Sequence, residues 1–326
     1  MPWCEVQLKT RTAETDYPFL STGILYSLCE LLKVLNPDRA KQCLPLLQSL
    51  LDVVHAQIEA GGDLAKNSLV AKGKTKLAAR IALKLLRPRK IKSGVRAKAL
   101  MAGSQPRAAL QVDDTDDDEI PEEVDGYIAD MLDSLCYPDT AVRYSAAKGI
   151  ARICTRLPAY AVPQVTAAVV SLFPINVIEE ADGTLDLSAA SEHTWHGACL
   201  ALAELARRGL LSTDSQSPSE KATSAQYELD EQLLWVQRAL FFDPRRGAHS
   251  VGSNVRDAAC YVIWALARAN DESSIRPHAV KLASDLVCVA CCDREVGIRR
   301  AASAAFQECA GRMVSAAANS FLLHHL

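Results

Sequence analysis

Three places in this 326-residue chain gather side chains able to do chemistry. His193, His196 and Cys199 stand three apart, which puts them on one helix face, where metal ligands would have to be. Cys288 and Cys291 make a C-x-x-C beside Cys292. Zinc takes four ligands, and neither group has a second pair at finger or ribbon spacing, so packing is the simpler reading and no metal is expected. In "SNVRDAACYVIWALARAN", Cys260 and Tyr261 follow Arg256 and Asp257, which raises a nucleophilic thiol. Such a thiol needs a neighbour that stabilises the thiolate, yet no histidine is near in sequence and Tyr261 and Trp264 flank it. A buried structural thiol is expected. The chain has no Gly-rich phosphate loop, no G-x-S-x-G elbow and no paired-carboxylate motif, so neither a catalytic centre nor a cofactor is expected.

Charge sets a further limit. The net charge is −3, which gives no global attraction to nucleic acid or membrane. Residues 66–98 nevertheless carry twelve Lys and Arg and no acid. They contain no aromatic ring on which a base could stack, so nucleic acid is the weakest reading. A solvated helix face, neutralised by the acidic run "DDTDDDEIPEEVD", and a patch for an acidic protein partner both stay open. Eleven cysteines scattered through apolar helical patterns, behind an N-terminus too charged for a signal peptide, read as reduced thiols in a cytoplasmic protein. The longest apolar stretch, "VTAAVVSLFPI", is too short to span a bilayer, so no membrane insertion is expected.

The elements that would position these residues are helices. Apolar residues make up 49% and aromatics only 6%, a balance that suits closely packed helices. In "IPEEVDGYIADMLDSLCYPDTAVRYSAAKGIARICTRLP", Val124, Ile128, Met131, Leu132 and Leu135 form one stripe. After the turn "YPDT", Val142, Ala146, Ala147, Ile150, Ile153 and Leu157 form a second. The second pattern returns from Thr194, Ser253 and Val296. Aligning Ala146, Ala198, Ala258 and Ala301 gives intervals of 52, 60 and 43 residues. Units of about 40–47 residues with insertions belong to HEAT and armadillo arrays.

Three copies carry an apolar–Arg pair, at Arg143, Arg256 and Arg299, and acidic turns supply Asp139 and Asp293. Arg143, Arg256, Asp139, Asp257 and Asp293 are expected to pair from repeat to repeat, with Ser253 or Asn254 capping the third copy. The fold class is therefore an all-α HEAT/armadillo-like α-solenoid of stacked helix pairs. Residues 1–92 read as N-terminal helical repeats with a basic helix, 93–120 as a flexible linker with an acidic run, 121–312 as the repeat array and 313–326 as an atypical tail. The segments "NVIEEADGTLDLSAASEH", "STDSQSPSEKATSAQ" and "DPRRGAHSVGSN" read as loops inserted between helices.

Four consecutive stretches go beyond a generic repeat: "PDTAVRYSAAKGIARICTRLP", "WHGACLALAELARRGLL", "RRGAHSVGSNVRDAACYVIWALARA" and "IRRAASAAFQE". In wording, order and spacing they resemble the tubulin-folding cofactor D family, also called tubulin-specific chaperone D. "IPEEVDGYIADMLDSL" is similar to the helix before them, and "LVAKGKTKLAARIALKLLRPR" more loosely to the family's basic helix. Members are considerably longer, which makes this chain an expected internal segment of the N-terminal half, with the resemblance ending at Arg312. The resemblance implies a cytoplasmic, non-enzymatic chaperone of the microtubule cytoskeleton. It would capture β-tubulin and assemble or take apart αβ-tubulin heterodimers with folding cofactors C and E and an ADP-ribosylation-factor-like small GTPase, GTP hydrolysis belonging to those partners. Arg207, Arg208, Arg245, Arg246, Arg299 and Arg300, at helix ends and loop edges, are the expected contacts for tubulin's acidic surface. A HEAT-type adaptor for transport or phosphatase assembly would share the fold without these long matches.

Overall fold

The computed structural model describes residues 6, 18–60, 66–88, 120–211, 220–247, 249–269 and 275–325. Eleven helices of eight or more residues run through the described residues: α1 (Pro18–Val34), α2 (Pro37–Glu59), α3 (Ser68–Leu85), α4 (Glu123–Leu135), α5 (Thr140–Cys154), α6 (Val162–Val170), α7 (Glu192–Ala206), α8 (Glu220–Leu240), α9 (Ser253–Ala269), α10 (Ala279–Cys292) and α11 (Val296–His325). They stack as helix pairs, the arrangement of an all-α HEAT/armadillo-like solenoid. Helices α1–α5 form one compact unit and α6–α11 another.

Side-chain caps start several helices. Asn36 accepts the Arg39 N–H, with Pro37 pre-set at the first position of α2. Asn67 accepts from Leu69 and Val70 at the start of α3, Asp139 from Ala141 at α5, and Ser191 from Thr194 at α7. Helix α2 runs through Pro45. Helix α9 is capped neither by Ser253 nor by Asn254. The Gly252 carbonyl accepts the first intrahelical bond, from Arg256 N, at φ +112°, a conformation that L side chains rarely adopt.

In the first unit, α3 is the hub, packing against α1, α2, α4 and α5. Leu25, Leu28, Leu32, Leu47, Leu50, Val54, Leu77 and Ile81 fill the space between α1, α2 and α3. At Gly149 of α5 the backbones come close: a Cβ there would lie 2.5 Å from Met131 Sδ and 3.1 Å from Ala79 Cβ. The stripe expected on α4 is buried at Val124, Ile128, Met131 and Leu135, and the whole stripe of α5 from Val142 to Leu157 is buried.

In the second unit, α7, α9 and α11 stack in order, α8 pairs with α9, α10 pairs with α11, and α8 touches α10. Of the four aligned alanines, Ala146, Ala198 and Ala258 are buried, whereas in the last copy the fully buried residue is Ala302, one place after Ala301. Two insertions read as loops fold into short antiparallel hairpins. β1 (Ile178–Glu179) pairs with β2 (Leu185–Asp186), and β3 (Arg245–Arg246) pairs with β4 (His249–Ser250). Residues 212–219 of the third insertion, and 93–119 of the linker, lie outside the described residues; 313–325 continue α11.

Candidate partner-binding surface

In each repeat the residue three places before a buried alanine (Ala146, Ala198, Ala259 and Ala302) faces the preceding turn, and its type decides what holds that turn. Arg143 is almost fully buried; its Nη1 donates to the Tyr137 and Pro138 carbonyls at 2.6 and 2.7 Å and its Nη2 to Thr140 Oγ1 at 2.8 Å. Arg299 repeats the geometry on the Asp293 and Arg294 carbonyls at 2.6 and 3.1 Å. These carbonyls lie past the end of a helix with no donor inside it, and the guanidinium supplies one. In α7 the same place is taken by Trp195. Its ring meets Phe173 edge-on at 5.2 Å, Trp235 at 5.8 Å and Phe242 at 4.7 Å, so this turn is closed by aromatic packing.

Arg256 does more than its counterparts. Its Nη1 donates to the Phe242 carbonyl at 3.0 Å and to Asp243 Oδ1 at 3.2 Å, both before α9. Its Nε and Nη2 reach Asp293 Oδ2 and Oδ1, at 2.7 and 3.4 Å, in the turn before α11. The Arg256 side chain is 4% exposed and that of Asp293 7%, so this pair is desolvated. Arg294 Nη2 then meets Asp243 Oδ1 at 2.7 Å, and Ser250 of the hairpin donates to the same carboxylate. One charged node thus ties three successive segments together. Asp139 caps α5 through its own carboxylate, and Asp257 stands exposed in the first turn of α9.

A second node links α7 to α9. Glu204 is fully buried; Arg208 Nη1 lies 2.5 Å from Oε2, Arg207 Nη1 3.5 Å from Oε1, and Tyr261 donates to Oε1 at 3.2 Å. Burial alone would raise this carboxyl, but the Arg208 hydrogen bond and charge, joined by Arg207 and Tyr261, outweigh it and hold the pKa below the ordinary value.

The six arginines read as partner contacts therefore divide. Arg208 serves Glu204, Arg246 Nη2 donates to the Ala190 carbonyl at 2.8 Å, and Arg299 closes its turn. Arg207 keeps 55% of its side chain exposed. Arg245 and Arg300 are exposed and make no ion pair among the described residues. They also do not form one patch. Arg246 sits at the start of α7 and Arg207 at its end, and 15 residues of helix separate the two by about 22 Å.

Of the basic run, residues 89–98 lie outside the described residues. Among the described residues 66–88, Lys74 lies 3.8 Å from Asp130, Lys76 3.6 Å from Glu30 and 4.9 Å over the Tyr26 ring, and Lys84 donates to the Leu35 carbonyl at 3.1 Å. Arg80 donates to the Cys29 carbonyl. Four helices pack on α3, so these four cations are used inside the unit.

Cys260 is buried and its thiol is pushed up to about 12, first by burial and then by Asp257 and Asp293. Cys199 is fully buried beside buried His196. Among the described residues, no three His, Cys, Asp or Glu are placed to share a metal, and no helix is long and apolar enough to cross a membrane.

Fold and nodes together define the class: a helical-repeat scaffold whose turns are held by arginines and, before α7, by an aromatic cluster. The chain matches the family described as "Tubulin-specific chaperone D-like, ARM repeats" over residues 69–318, and it belongs to that family. It is 43% identical over 180 residues to the tubulin-specific chaperone D of Dictyostelium discoideum, covering 55% of this chain and 11% of that protein. It is 28% identical over 310 residues to the tubulin-folding cofactor D of Schizosaccharomyces pombe, covering 94% of this chain and 26% of that protein. The chain thus spans about a quarter or less of these relatives. Among solved structures it is similar to a designed armadillo repeat protein in complex with the peptide (KR)4, at 14% identity and TM-score 0.41, covering 94% of this chain and 98% of that one. The karyopherin Kap121p is similar at 13% identity and TM-score 0.38, over 95% of this chain and 34% of that one.

Proposed function

We propose that this chain is part of a tubulin-folding chaperone scaffold in the cytoplasm. It binds β-tubulin and helps assemble or dissociate αβ-tubulin heterodimers, with folding cofactors C and E and an ADP-ribosylation-factor-like small GTPase. Membership of the tubulin-specific chaperone D-like family over residues 69–318 is the observation that carries this reading. A stacked helical array suits the role physically, because it presents a long continuous surface to a large folded partner. The work is binding rather than covalent chemistry.

Within the array, Arg207, Arg245 and Arg300 are the contacts proposed for an acidic partner, since their charge projects outward. Arg208, Arg246 and Arg299 support the fold behind them. Affinity purification of the tagged chain from cells that express it tests the assignment: β-tubulin and the small GTPase are the expected co-purifying proteins. Recovery of neither would refute it.

A further inference from the structure

The described cysteines fall into three groups by exposure, with Cys43 and Cys136 half-buried. Cys29, Cys154, Cys199, Cys260 and Cys309 are buried, whereas Cys288, Cys291 and Cys292 are exposed, all three at the C-terminal end of α10. Burial pushes the Cys29 and Cys309 thiols up to about 11, which keeps them protonated and unreactive. Helix α10 turns Leu282, Asp285, Leu286 and Val289 inward and leaves Val280, Lys281, Ser284, Val287, Cys288 and Cys291 on its outer face. A reactive pair placed there meets reagents from solvent.

We propose that Cys288 and Cys291 form a reversible dithiol–disulfide site on α10. Helix geometry selects this pair. Residues three apart on an α-helix have Cα atoms about 5 Å apart, inside the ~4.4–6.8 Å window for a disulfide. Cys288 and Cys292, four apart, are separated by about 6.2 Å, near the far edge of that window. Cys291 and Cys292 are neighbours at about 3.8 Å, below it. In a regular helix the Cβ atoms of the selected pair lie about 5–6 Å apart, more than the ~3.5–4.5 Å a bridge needs, so the last turn must tighten as the ring closes. That turn ends at Cys292, where the chain leaves the helix and Asp293, in an extended conformation, donates its N–H to the Val289 carbonyl at 3.0 Å.

The co-reactant is a small-molecule disulfide. The thiolate of one cysteine attacks it and releases one small thiol, leaving a mixed disulfide on the helix. The thiolate of the other cysteine then displaces the second small thiol and closes the Cys288–Cys291 bond. Two protein thiols have lost two electrons and two protons, and the reagent has become two thiols. A dithiol reductant runs the exchange backwards. Ring closure acts two residues before Asp293, which holds Arg256.

The test equilibrates the dilute purified chain across a series of reduced and oxidised glutathione, quenches it in acid, alkylates free thiols and maps peptides by mass spectrometry. The expected product is a 282–294 peptide lighter by two hydrogens, alkylated once, at Cys292, and restored to three alkyl groups by dithiothreitol. Cys288→Ser and Cys291→Ser should each abolish the ring and Cys292→Ser should keep it, with circular dichroism showing all three folded as the parent. A ring closed through Cys292, a lasting glutathione adduct on Cys288 or Cys291, a disulfide-linked dimer, or three alkylated thiols in the most oxidising buffer would each overturn the proposal.

Discussion

Replacing Arg256 with Met keeps much of the apolar stem and removes the guanidinium at the centre of the α9 node. Asp293 would then lie 7% exposed without its cation, and the Phe242 carbonyl would lose a donor. Breaking a buried ion pair by removing one partner costs about 3–5 kcal/mol. The Glu295 N–H still reaches Asp293 Oδ1 at 2.8 Å, which keeps the loss inside that range. Asp243 gives the contrast. It meets the same arginine at 3.2 Å but is 46% exposed, so Asp243→Asn should cost about 0–1 kcal/mol. Urea unfolding followed by tryptophan fluorescence suits the measurement, because Trp195, Trp235 and Trp264 all lie in α7–α9. A loss below about 1 kcal/mol for Arg256→Met, or an equal loss for Asp243→Asn, would refute the view that a desolvated pair holds these repeats in register.

Two further changes probe the other contacts. The Glu204 pKa is lowered in the folded chain, so its ion pairs stabilise fully above the unfolded value, about 4.3, and the benefit fades as pH falls through the lower folded value. The stability gap between parent and Glu204→Gln should therefore be largest near pH 7 and shrink below about pH 4; a gap constant with pH would contradict the assignment. Gly149→Ala forces a Cβ to 3.1 Å from Ala79 Cβ and should destabilise by about 1–3 kcal/mol in the same urea assay. Gly126→Ala, with nothing within 4 Å, should be neutral or gain up to about 1 kcal/mol, and equal effects at the two sites would sink the close-packing account.

The repeat was legible because its signal is periodic. Stripes on α4 and α5, Asp139 at a cap and small residues between helices all follow from local spacing. What escaped is non-local. Glu204 looks like a stray acid in an apolar run, and only its burial beside Tyr261, 57 residues away, makes it a node. The pair Arg207–Arg208, three and four places on, was the available signal. Trp195 stands where other copies have arginine, but its meaning needs Phe173, Trp235 and Phe242 brought in from three segments. In the basic run composition shows charge and not direction: Lys74, Lys76, Arg80 and Lys84 spend theirs on neighbouring helices. The outward set of Arg207, Arg245 and Arg300 emerged only by seeing which of six arginines the fold consumes.

Direct binding of purified chain to β-tubulin tests the central claim most sharply. A saturable isotherm is predicted for the parent, weakened at least tenfold by the double change Arg245→Glu and Arg300→Glu, with circular dichroism and urea stability unchanged. A tenfold loss corresponds to about 1.4 kcal/mol of binding energy. No measurable binding by the folded parent would contradict the account.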